Sequence, residues 1–180
     1  LFMAKRSFLY YDELETPLGT MTLVADKDGV CRIDYGSYQE LATHHNNWAR
    51  QYFLCPKFVQ DGELLEAAIK EFQEYFQGTR HHFSFDFQMY GTPFQQKVWN
   101  ALSTEIPYGE TRSYKDIAKA IQAPKAIRAV GGAINRNPLS IIIPCHRVIG
   151  SNGKLVGYNG GLEKKRKLLE LEMPQMLFNF

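Results

Sequence analysis

A cysteine, a histidine and an arginine stand side by side at residues 145–147, within the stretch IIIPCHRVIG. A thiolate is a strong nucleophile, and cations or helix N-termini near a cysteine lower the pKa of its thiol. Histidine can accept a proton near neutral pH. The triplet therefore predicts a nucleophilic Cys145 with the base His146 beside it. The alternative is a buried, unreactive cysteine, which is the commoner role for this residue.

The flanking residues predict how the triplet is held. SIIIP (140–144) has the composition of a buried strand that ends at its proline, which cannot donate a ladder hydrogen bond. Because neighbouring strand residues point to opposite faces, His146 takes the thiol proton directly only if the chain turns here, and otherwise through water. A leucine stripe would hold the last predicted helix, GGLEKKRKLLELE, against the core. That helix offers three acceptors for the other ring nitrogen, and spacing does not choose among them: Glu163, Glu170 and Glu172.

Three short helices are predicted ahead of the cysteine. Thr92, Pro93 and Gln95 form an N-terminal capping signature followed by an apolar stripe. Ser113 caps a second helix, SYKDIAKAI, and a third covers KAIRAVGGAIN (125–135). The last two are joined by the tight turn QAPK, and this arrangement predicts a helix-turn-helix.

The two faces of the third helix differ in composition. At about 100° per residue, Ile127, Val130 and Ile134 share one face and are expected to lie in the core. The opposite face carries small residues and arginines: Arg128, Ala129, Gly132 and Arg136. Small side chains admit a close approach, and arginine suits phosphates and stacked bases. We therefore predict nucleic acid on this face. The alternative is that Gly131 and Gly132 pack against another helix.

The first half of the chain predicts an α+β unit. TMTLVADKDGVCRIDY (20–35) holds two β-rich runs around DKDG, which is a hairpin signal. GELLEAAIKEFQEYFQ (62–77) predicts an amphipathic helix that ends at Gly78. HHFSFDF (81–87) predicts a strand with its three phenylalanines on one face, whereas residues 36–60 are ambiguous. The stretch QMYGT is the predicted junction between the two halves.

Charge and cysteine content limit the possible partners and compartments. Residues 1–91 hold 8 Lys+Arg and 13 Asp+Glu, whereas residues 92–180 hold 13 and 6. The basic half could face a polyanion, although scattered solvated lysines explain the counts equally well. We expect no membrane span, because no long uninterrupted apolar run occurs, and no secretory signal, because the start lacks a charged-then-apolar plan. We also expect no disulfide framework, because the three cysteines are odd in number and widely spaced. A reducing, cytoplasmic location is therefore expected. An adjacent Cys-His pair also lacks zinc-ligand spacing, so no metal is expected.

The motif PCHRV, followed by GYNGGLEKKRKLL, resembles the active-site signature of the O6-alkylguanine-DNA alkyltransferases, or methylated-DNA–protein-cysteine methyltransferases. TPFQQKVWNAL, IPYGETRSYKDIAKAI and AIRAVGGAINRNP are also similar to this family, so the resemblance covers residues 92–172. It implies an α+β protein with two domains. An N-terminal RNase-H-like α/β domain would span residues 1–87, and a C-terminal helical helix-turn-helix (winged-helix-like) domain would span residues 88–180.

The resemblance implies direct-reversal DNA repair. The protein would bind the minor groove of double-stranded DNA and flip an O6-alkylguanine out of the stack. It would then move the alkyl (methyl) group irreversibly, in one step, onto its own cysteine. Each molecule would act once, as a single-turnover suicide enzyme without metal or organic cofactor. A monomer is expected, associated with the nucleoid if the source is prokaryotic.

The resemblance also implies roles residue by residue. Cys145 matches the alkyl acceptor, His146 the water-mediated base and Glu172 the acid that orients it. Asn137 matches the asparagine between the recognition helix and the active-site strand, and Tyr114 the tyrosine that donates toward the base. Arg128 matches the arginine that would fill the gap left by the flipped nucleotide. The other residues implied to bind DNA are Ala126, Ala129, Gly131, Gly132, Arg136 and Ser113. The base pocket would comprise Tyr158, Asn159 and Val148.

Two other functions fit parts of the pattern. The Cys-His pair alone suits a cysteine hydrolase, which would turn over many times and need no DNA. A DNA-binding module whose cysteine senses alkylation or oxidation would bind one DNA sequence selectively. Repair instead predicts one transfer per molecule and binding that depends on salt rather than on sequence.

Overall fold

The computed structural model describes residues 7–176, and the chain divides into two compact units between Tyr90 and Gly91. The first unit contains β1 (Phe8–Thr16), β2 (Gly19–Asp26), β3 (Gly29–Tyr35), α1 (Tyr38–Tyr52), β4 (Lys57–Gln60) and α2 (Gly62–Phe76). The second contains α3 (Pro93–Glu105), β5 (Arg112–Ser113), α4 (Tyr114–Ala120), α5 (Ile127–Asn135), a 3-10 turn (Cys145–Arg147), β6 (Val148–Ile149) and α6 (Leu162–Glu172). The mixture of helix and sheet agrees with the predicted α+β class.

The sheet of the first unit has the order β3-β2-β1-β4, with β4 parallel to β1 and the other pairs antiparallel. The β2–β3 hairpin at DKDG is confirmed. Its turn is closed by the Asp26 carboxylate, which accepts hydrogen bonds from the backbone N–H groups of Asp28 (2.7 Å) and Gly29 (3.0 Å). Gly29 has a φ of 147°, which a residue without a side chain adopts readily. The ambiguous region forms helix α1, capped by Ser37, and strand β4.

Helix α2 is confirmed, with Asp61 as its N-cap and a positive φ of 78° at Gly78 just beyond its end. The strand predicted over HHFSFDF is wrong. Apart from one isolated bridge, from Val30 to Phe87, this segment is irregular. The backbone N–H of Ser84 bonds the Glu71 carboxylate at 2.9 Å instead of a neighbouring strand. The apolar spacing thus reflects two phenylalanines that pack on helix α2 without a ladder.

The helix-turn-helix of the second unit is confirmed as α4 and α5. Capping boxes start both α3, at Thr92, and α4, at Ser113. The Trp99 indole of α3 donates to the carbonyl oxygen of Ala133 in α5 at 2.9 Å, which ties the first helix of this unit to the third. Strands β5 and β6 form a short parallel pair. Ile127, predicted to be in the core, is 41% exposed because it occupies the first turn of α5.

The segment SIIIP is buried as predicted, but it is a turn rather than a strand. The backbone N–H of Ile143 bonds the Leu139 carbonyl at 3.0 Å, and Ile141 has a positive φ of 77°. The Asn137 side chain bonds two backbone groups of this turn: its Oδ1 accepts from Leu139 N at 2.8 Å and its Nδ2 donates to Ile143 O at 2.9 Å. A side chain thus takes the place of a neighbouring strand.

Residues 7–176 also bear on membrane and metal partners. No helix in this range is long and apolar enough to cross a membrane. No group of three or more histidine, cysteine, aspartate or glutamate side chains in the same range is placed to hold a metal ion.

Candidate active site

The Cys145 sulfur lies in a 3-10 turn and is held by two hydrogen bonds. Sγ accepts from Asn137 Nδ2 at 2.8 Å, and the thiol donates to the Ile134 carbonyl at 3.4 Å. Ile134 belongs to the last turn of α5, so the thiol bonds directly to the end of the arginine-bearing helix. Asn137 contacts both the turn before the cysteine and the sulfur itself, and it thereby fixes their relative position.

The Cys145 thiol is protonated at rest. Burial raises its pKa to about 12, and this effect outweighs the opposing effects of the Asn137 hydrogen bond and the Lys165 charge. The expected net lowering of this pKa is therefore wrong, because Cys145 is only 5% exposed and the neighbouring Arg147 bonds elsewhere. A buried thiol of this kind needs a base at the moment of reaction.

His146 and Glu172 form a buried pair beside the thiol. His146 Nε2 lies 2.6 Å from Glu172 Oε2, and both side chains are fully buried. Burial lowers the pKa of His146, although Glu172 opposes the change, so the ring is neutral at rest. An ionised Glu172 accepts the Nε2 proton, which leaves Nδ1 as the lone-pair nitrogen. Within the described residues, Nδ1 has no hydrogen-bond partner, so the chain turns here without forming a direct bond to Sγ.

The structure distinguishes the three candidate glutamates of α6. Glu163 and Glu170 are paired with Arg166 on the outer face of the helix, where the three side chains are partly exposed. Glu172 faces inward and also accepts from Arg147 Nε at 2.6 Å. Burial alone would raise the Glu172 pKa, but His146 and Arg147 together lower it to about 2. Glu172 is therefore a carboxylate at neutral pH.

Lys165 is a buried cation that the sequence did not mark as functional. Its Nζ donates to the carbonyl oxygens of Val156 (3.2 Å), Gly157 (3.0 Å) and Val148. Burial lowers its pKa to about 8. Position 165 lies three residues after Leu162, on the apolar stripe of α6, and this helical spacing is the sequence signal that Lys165 is buried. The three bonds attach the loop at 156–157 to strand β6.

A small cleft opens onto the thiol. It is lined by Ile134, Asn135, Asn137, Ser140, Cys145, Gly157, Tyr158 and Asn159. Tyr158 and Asn159, both predicted for the base pocket, thus share the cleft with the sulfur. Val148 is fully buried in β6 and is not part of the lining. Tyr114 stands at the loop beside the cleft, where its hydroxyl donates to the Val156 carbonyl at 2.9 Å.

The predicted nucleic-acid face is the solvent face of α5. Four of its residues are exposed: Arg128, Ala129, Gly132 and Arg136. Ala126 and Gly131 are half-buried, and Ser113 is the N-cap of the neighbouring α4. A Cβ placed on Gly132 would meet no heavy atom within 4 Å, so the fold itself has room for a side chain there. A cleft of about 450 Å³ beside α4 adds three cations: Arg112, Lys115 and Lys119.

Family models match both units. Residues 93–174 match the DNA binding domain, and residues 9–89 the ribonuclease-like domain, of 6-O-methylguanine DNA methyltransferase. The chain belongs to the 6-O-methylguanine DNA methyltransferase family. The two matched domains confirm the predicted fold, with a ribonuclease-like N-terminal unit and a C-terminal DNA-binding unit.

Members of the methyltransferase family resemble the chain over most of its length. The methylated-DNA–protein-cysteine methyltransferase of Methanosarcina acetivorans is 44% identical over 164 residues, which cover 91% of this chain and 98% of that protein. The O6-methylguanine methyltransferase of Mycobacterium tuberculosis superimposes with a TM-score of 0.77 at 40% identity, covering 95% and 96% of the two chains. A DNA complex of the M. tuberculosis OGT protein gives a TM-score of 0.75 at 40% identity, covering 92% and 94%.

Proposed function

We propose that this protein repairs double-stranded DNA by direct reversal, transferring the alkyl group of an O6-alkylguanine irreversibly onto Cys145. One observation carries the proposal. A buried, protonated thiol lies beside a neutral histidine whose Nε2 is held by a carboxylate, at the end of an arginine-bearing DNA-binding helix. Family membership supports the same chemistry, because its domain is described as 6-O-methylguanine DNA methyltransferase.

The reaction follows from the charge states of the groups. His146 Nδ1 takes the thiol proton through a water molecule, and Glu172 stabilises the imidazolium that forms. The sulfur electron pair attacks the alkyl carbon, the bond from that carbon to O6 breaks, and its electron pair passes to the guanine. Tyr114 donates a proton to the guanine and recovers one from His146. The net change replaces the thiol hydrogen with an alkyl group, and the product is a stable thioether.

Access to the lesion requires base flipping. The O6 atom of a stacked guanine is out of reach of a buried sulfur, so the nucleotide must leave the duplex, at a cost of a few kcal/mol. Helix α5 enters the minor groove, and the free space at Gly132 supports a close approach of the DNA backbone. Arg128 fills the gap in the stack. The rest of the α5 face, with Ser113, contacts the backbone.

The flipped base occupies the cleft beside Cys145. Tyr158 and Asn159 form the walls of the cleft, and the buried Val148 contributes indirectly, since its carbonyl in strand β6 holds Lys165. Lys165 positions the loop of this pocket through its bonds to three backbone carbonyls. Asn137 keeps the sulfur pointed into the cleft.

We assign DNA binding and alkyl acceptance to residues 88–180, and a separate α/β domain to residues 1–87. The transfer needs no cofactor, since the acceptor belongs to the chain itself. We further propose a monomer that acts in a reducing, cytoplasmic compartment on nucleoid or other genomic DNA. The three described cysteines, all free thiols, support this assignment.

The stoichiometry of transfer tests the proposed function. Duplex DNA carrying radiolabelled O6-methylguanine, in excess over protein, should yield one protein-bound methyl group per molecule and then stop. Continued release of methyl beyond one equivalent would instead support the hydrolase alternative. Binding titrations against several duplex sequences distinguish repair from the sensor alternative. Repair predicts equal affinity for all of the sequences at a given salt concentration, whereas a sensor would bind one of them selectively.

Replacing Arg128 with alanine should slow repair of duplex DNA by at least about tenfold, because the planar cation that fills the stack is lost and flipping becomes less favourable. Reaction with the free base O6-methylguanine needs no flipping and should change little. Single-turnover rates on both substrates, at saturating protein, measure the difference. Arg136→Ala is the matched control: it removes the same charge from the same helix and should weaken binding without this substrate-dependent defect. Equal losses on both substrates for Arg128→Ala would remove its role in flipping.

Methylation of Cys145 should destabilise the protein. The methyl group enters a close-packed site, which typically costs 1–3 kcal/mol, and removes the thiol donor to the Ile134 carbonyl. We expect the Tm measured by calorimetry to fall by about 4 °C or more relative to protein treated with unmodified DNA. An unchanged Tm would show that the site accommodates the product without strain.

A further inference from the structure

Arg147 has no part in the transfer described above, yet it bonds the same carboxylate as the histidine base. We propose that Arg147 is a positioning residue: by holding the second oxygen of Glu172, it keeps the His146 ring neutral and ready to take the Cys145 proton. This role rests on the proposed alkyl transfer.

The geometry places the guanidinium on both carboxylate oxygens. Arg147 Nε donates to Glu172 Oε1 at 2.6 Å, and Nη2 lies 3.4 Å from Oε2, the oxygen that bonds His146. The guanidinium is fixed from the other side as well. Its Nη1 donates to the Ile106 carbonyl at 2.8 Å, and it lies over the Tyr108 ring at 5.7 Å. With a side-chain exposure of 10%, Arg147 cannot leave this position for solvent without breaking these contacts.

The charge balance explains why the ring stays neutral. A buried carboxylate 2.6 Å from an imidazole strongly favours the imidazolium, and a pre-formed imidazolium cannot accept the thiol proton. Arg147, bonded to the same carboxylate, offsets part of the Glu172 charge before the reaction begins. Burial is the largest cause of the lowered His146 pKa, and Arg147 and Lys165 lower it further.

The other titratable groups around the ring do not replace Arg147. Lys165 of α6 is the other cation that acts on the ring, but it is bound to three backbone carbonyls rather than to Glu172. Cys145 is a neutral thiol with a pKa of about 12. Tyr108, in the turn after α3, is also neutral, because burial and the Glu172 charge raise its pKa.

Arg147 also selects the nitrogen that acts as the base. Because it keeps Glu172 ionised and oriented, Nε2 must carry the ring proton and Nδ1 must present its lone pair. Without Arg147, the pair of His146 and Glu172 would hold one extra proton over a wider range of pH. The rate of transfer should then fall most at acidic pH.

Single-turnover transfer at pH 5.5 and pH 7.5, with saturating protein and a duplex containing O6-methylguanine, tests this role. In Arg147→Gln the ratio of the rate at pH 7.5 to that at pH 5.5 should exceed the wild-type ratio by about tenfold or more, equivalent to one unit of pKa. Arg147→Lys, which retains the charge, should restore most of the wild-type ratio. Arg166→Gln is the matched control, since it removes the same charge from the outer face of α6, and its ratio should equal that of the wild type.

A ratio in Arg147→Gln equal to the wild-type ratio, with both rates lowered together, would overturn the proposal and leave Arg147 a structural role. A second measurement needs neither a variant nor alkylated DNA. The ¹⁵N resonances of the His146 ring in the wild-type protein at pH 7 should report a neutral ring protonated at Nε2, and an imidazolium at that pH would also overturn the proposal. If wild-type protein transfers no methyl group, the proposed function fails, whereas the ring resonances still test the charge state.

Discussion

Cys145→Ala abolishes alkyl transfer and leaves the affinity for duplex DNA within about twofold of the wild-type value, since Cys145 is buried and is not part of the α5 face proposed to contact the phosphates. The variant lacks the sulfur that accepts the alkyl group in the proposed reaction. The Asn137 amide of this variant loses its sulfur acceptor at 2.8 Å, which costs about 1–3 kcal/mol of stability. Transfer and DNA affinity should therefore both be measured well below the melting temperature of the variant.

Cys55→Ala provides the matched control for this variant. Cys55 is an exposed free thiol, and its replacement should leave transfer intact. Filter binding or fluorescence anisotropy gives the affinity, and radiolabelled O6-methylguanine DNA gives the transfer. Loss of DNA binding together with transfer in Cys145→Ala would mean that the cysteine is needed for the fold rather than for the chemistry.

His146→Gln should slow transfer by about 10²–10⁴-fold at neutral pH, the usual contribution of a positioned general base. The glutamine amide can still donate to Glu172, so the buried bond between Glu172 and Arg147 is retained, but the amide cannot accept a proton. The thiol must then ionise unaided. Because its pKa is about 12, the thiolate fraction and the rate should rise about tenfold for each pH unit in the alkaline range.

Stopped reactions at several pH values between neutral and mildly alkaline measure this slope. Wild-type protein should show a much flatter profile, since His146 supplies the base across the same range. A variant that retains the wild-type rate and profile would exclude His146 from proton transfer. Thermal melts of both proteins at each pH confirm that the comparison is made on folded protein.

Local sequence signals predicted the elements that present the site. The capping residues Thr92 and Ser113 and the turn QAPK define the helices of the second unit because their effects act within one helical turn. The DKDG hairpin followed from turn chemistry in the same way. The exposed small-and-arginine face of α5 also followed from periodicity, although Ile127 at the start of the helix lies outside the core.

The errors have a common physical origin in side-chain contacts and burial that apolar periodicity does not encode. SIIIP and HHFSFDF both have the apolar patterns of strands, yet Ile143 O bonds the side chain of Asn137 and Ser84 N bonds the side chain of Glu71. Periodicity cannot detect a side chain that substitutes for a strand. The same limit applies to the thiol, because neighbouring cations in sequence suggested activation whereas burial, a property of the whole fold, raises the Cys145 pKa.

The side chains that position His146 also could not be identified from local sequence alone. Spacing left three glutamates as candidates, and only the packing of α6 brings Glu172 to His146. The position of Arg147 two residues after Cys145 suggests a cation near the thiol, whereas its guanidinium bonds the Glu172 carboxylate. Resemblance to the alkyltransferases selected Glu172 in advance, but it carried no assignment for Arg147 or Lys165.

Intact-mass measurement followed by peptide mapping tests the central claim most directly. After mixing with an excess of duplex DNA containing O6-methylguanine, each chain should gain the mass of one methyl group in place of one hydrogen, located on Cys145. Cys31, which is buried, and Cys55, which is exposed, should remain unmodified. Methyl groups on either of these residues instead, or no modification of any chain, would contradict the account.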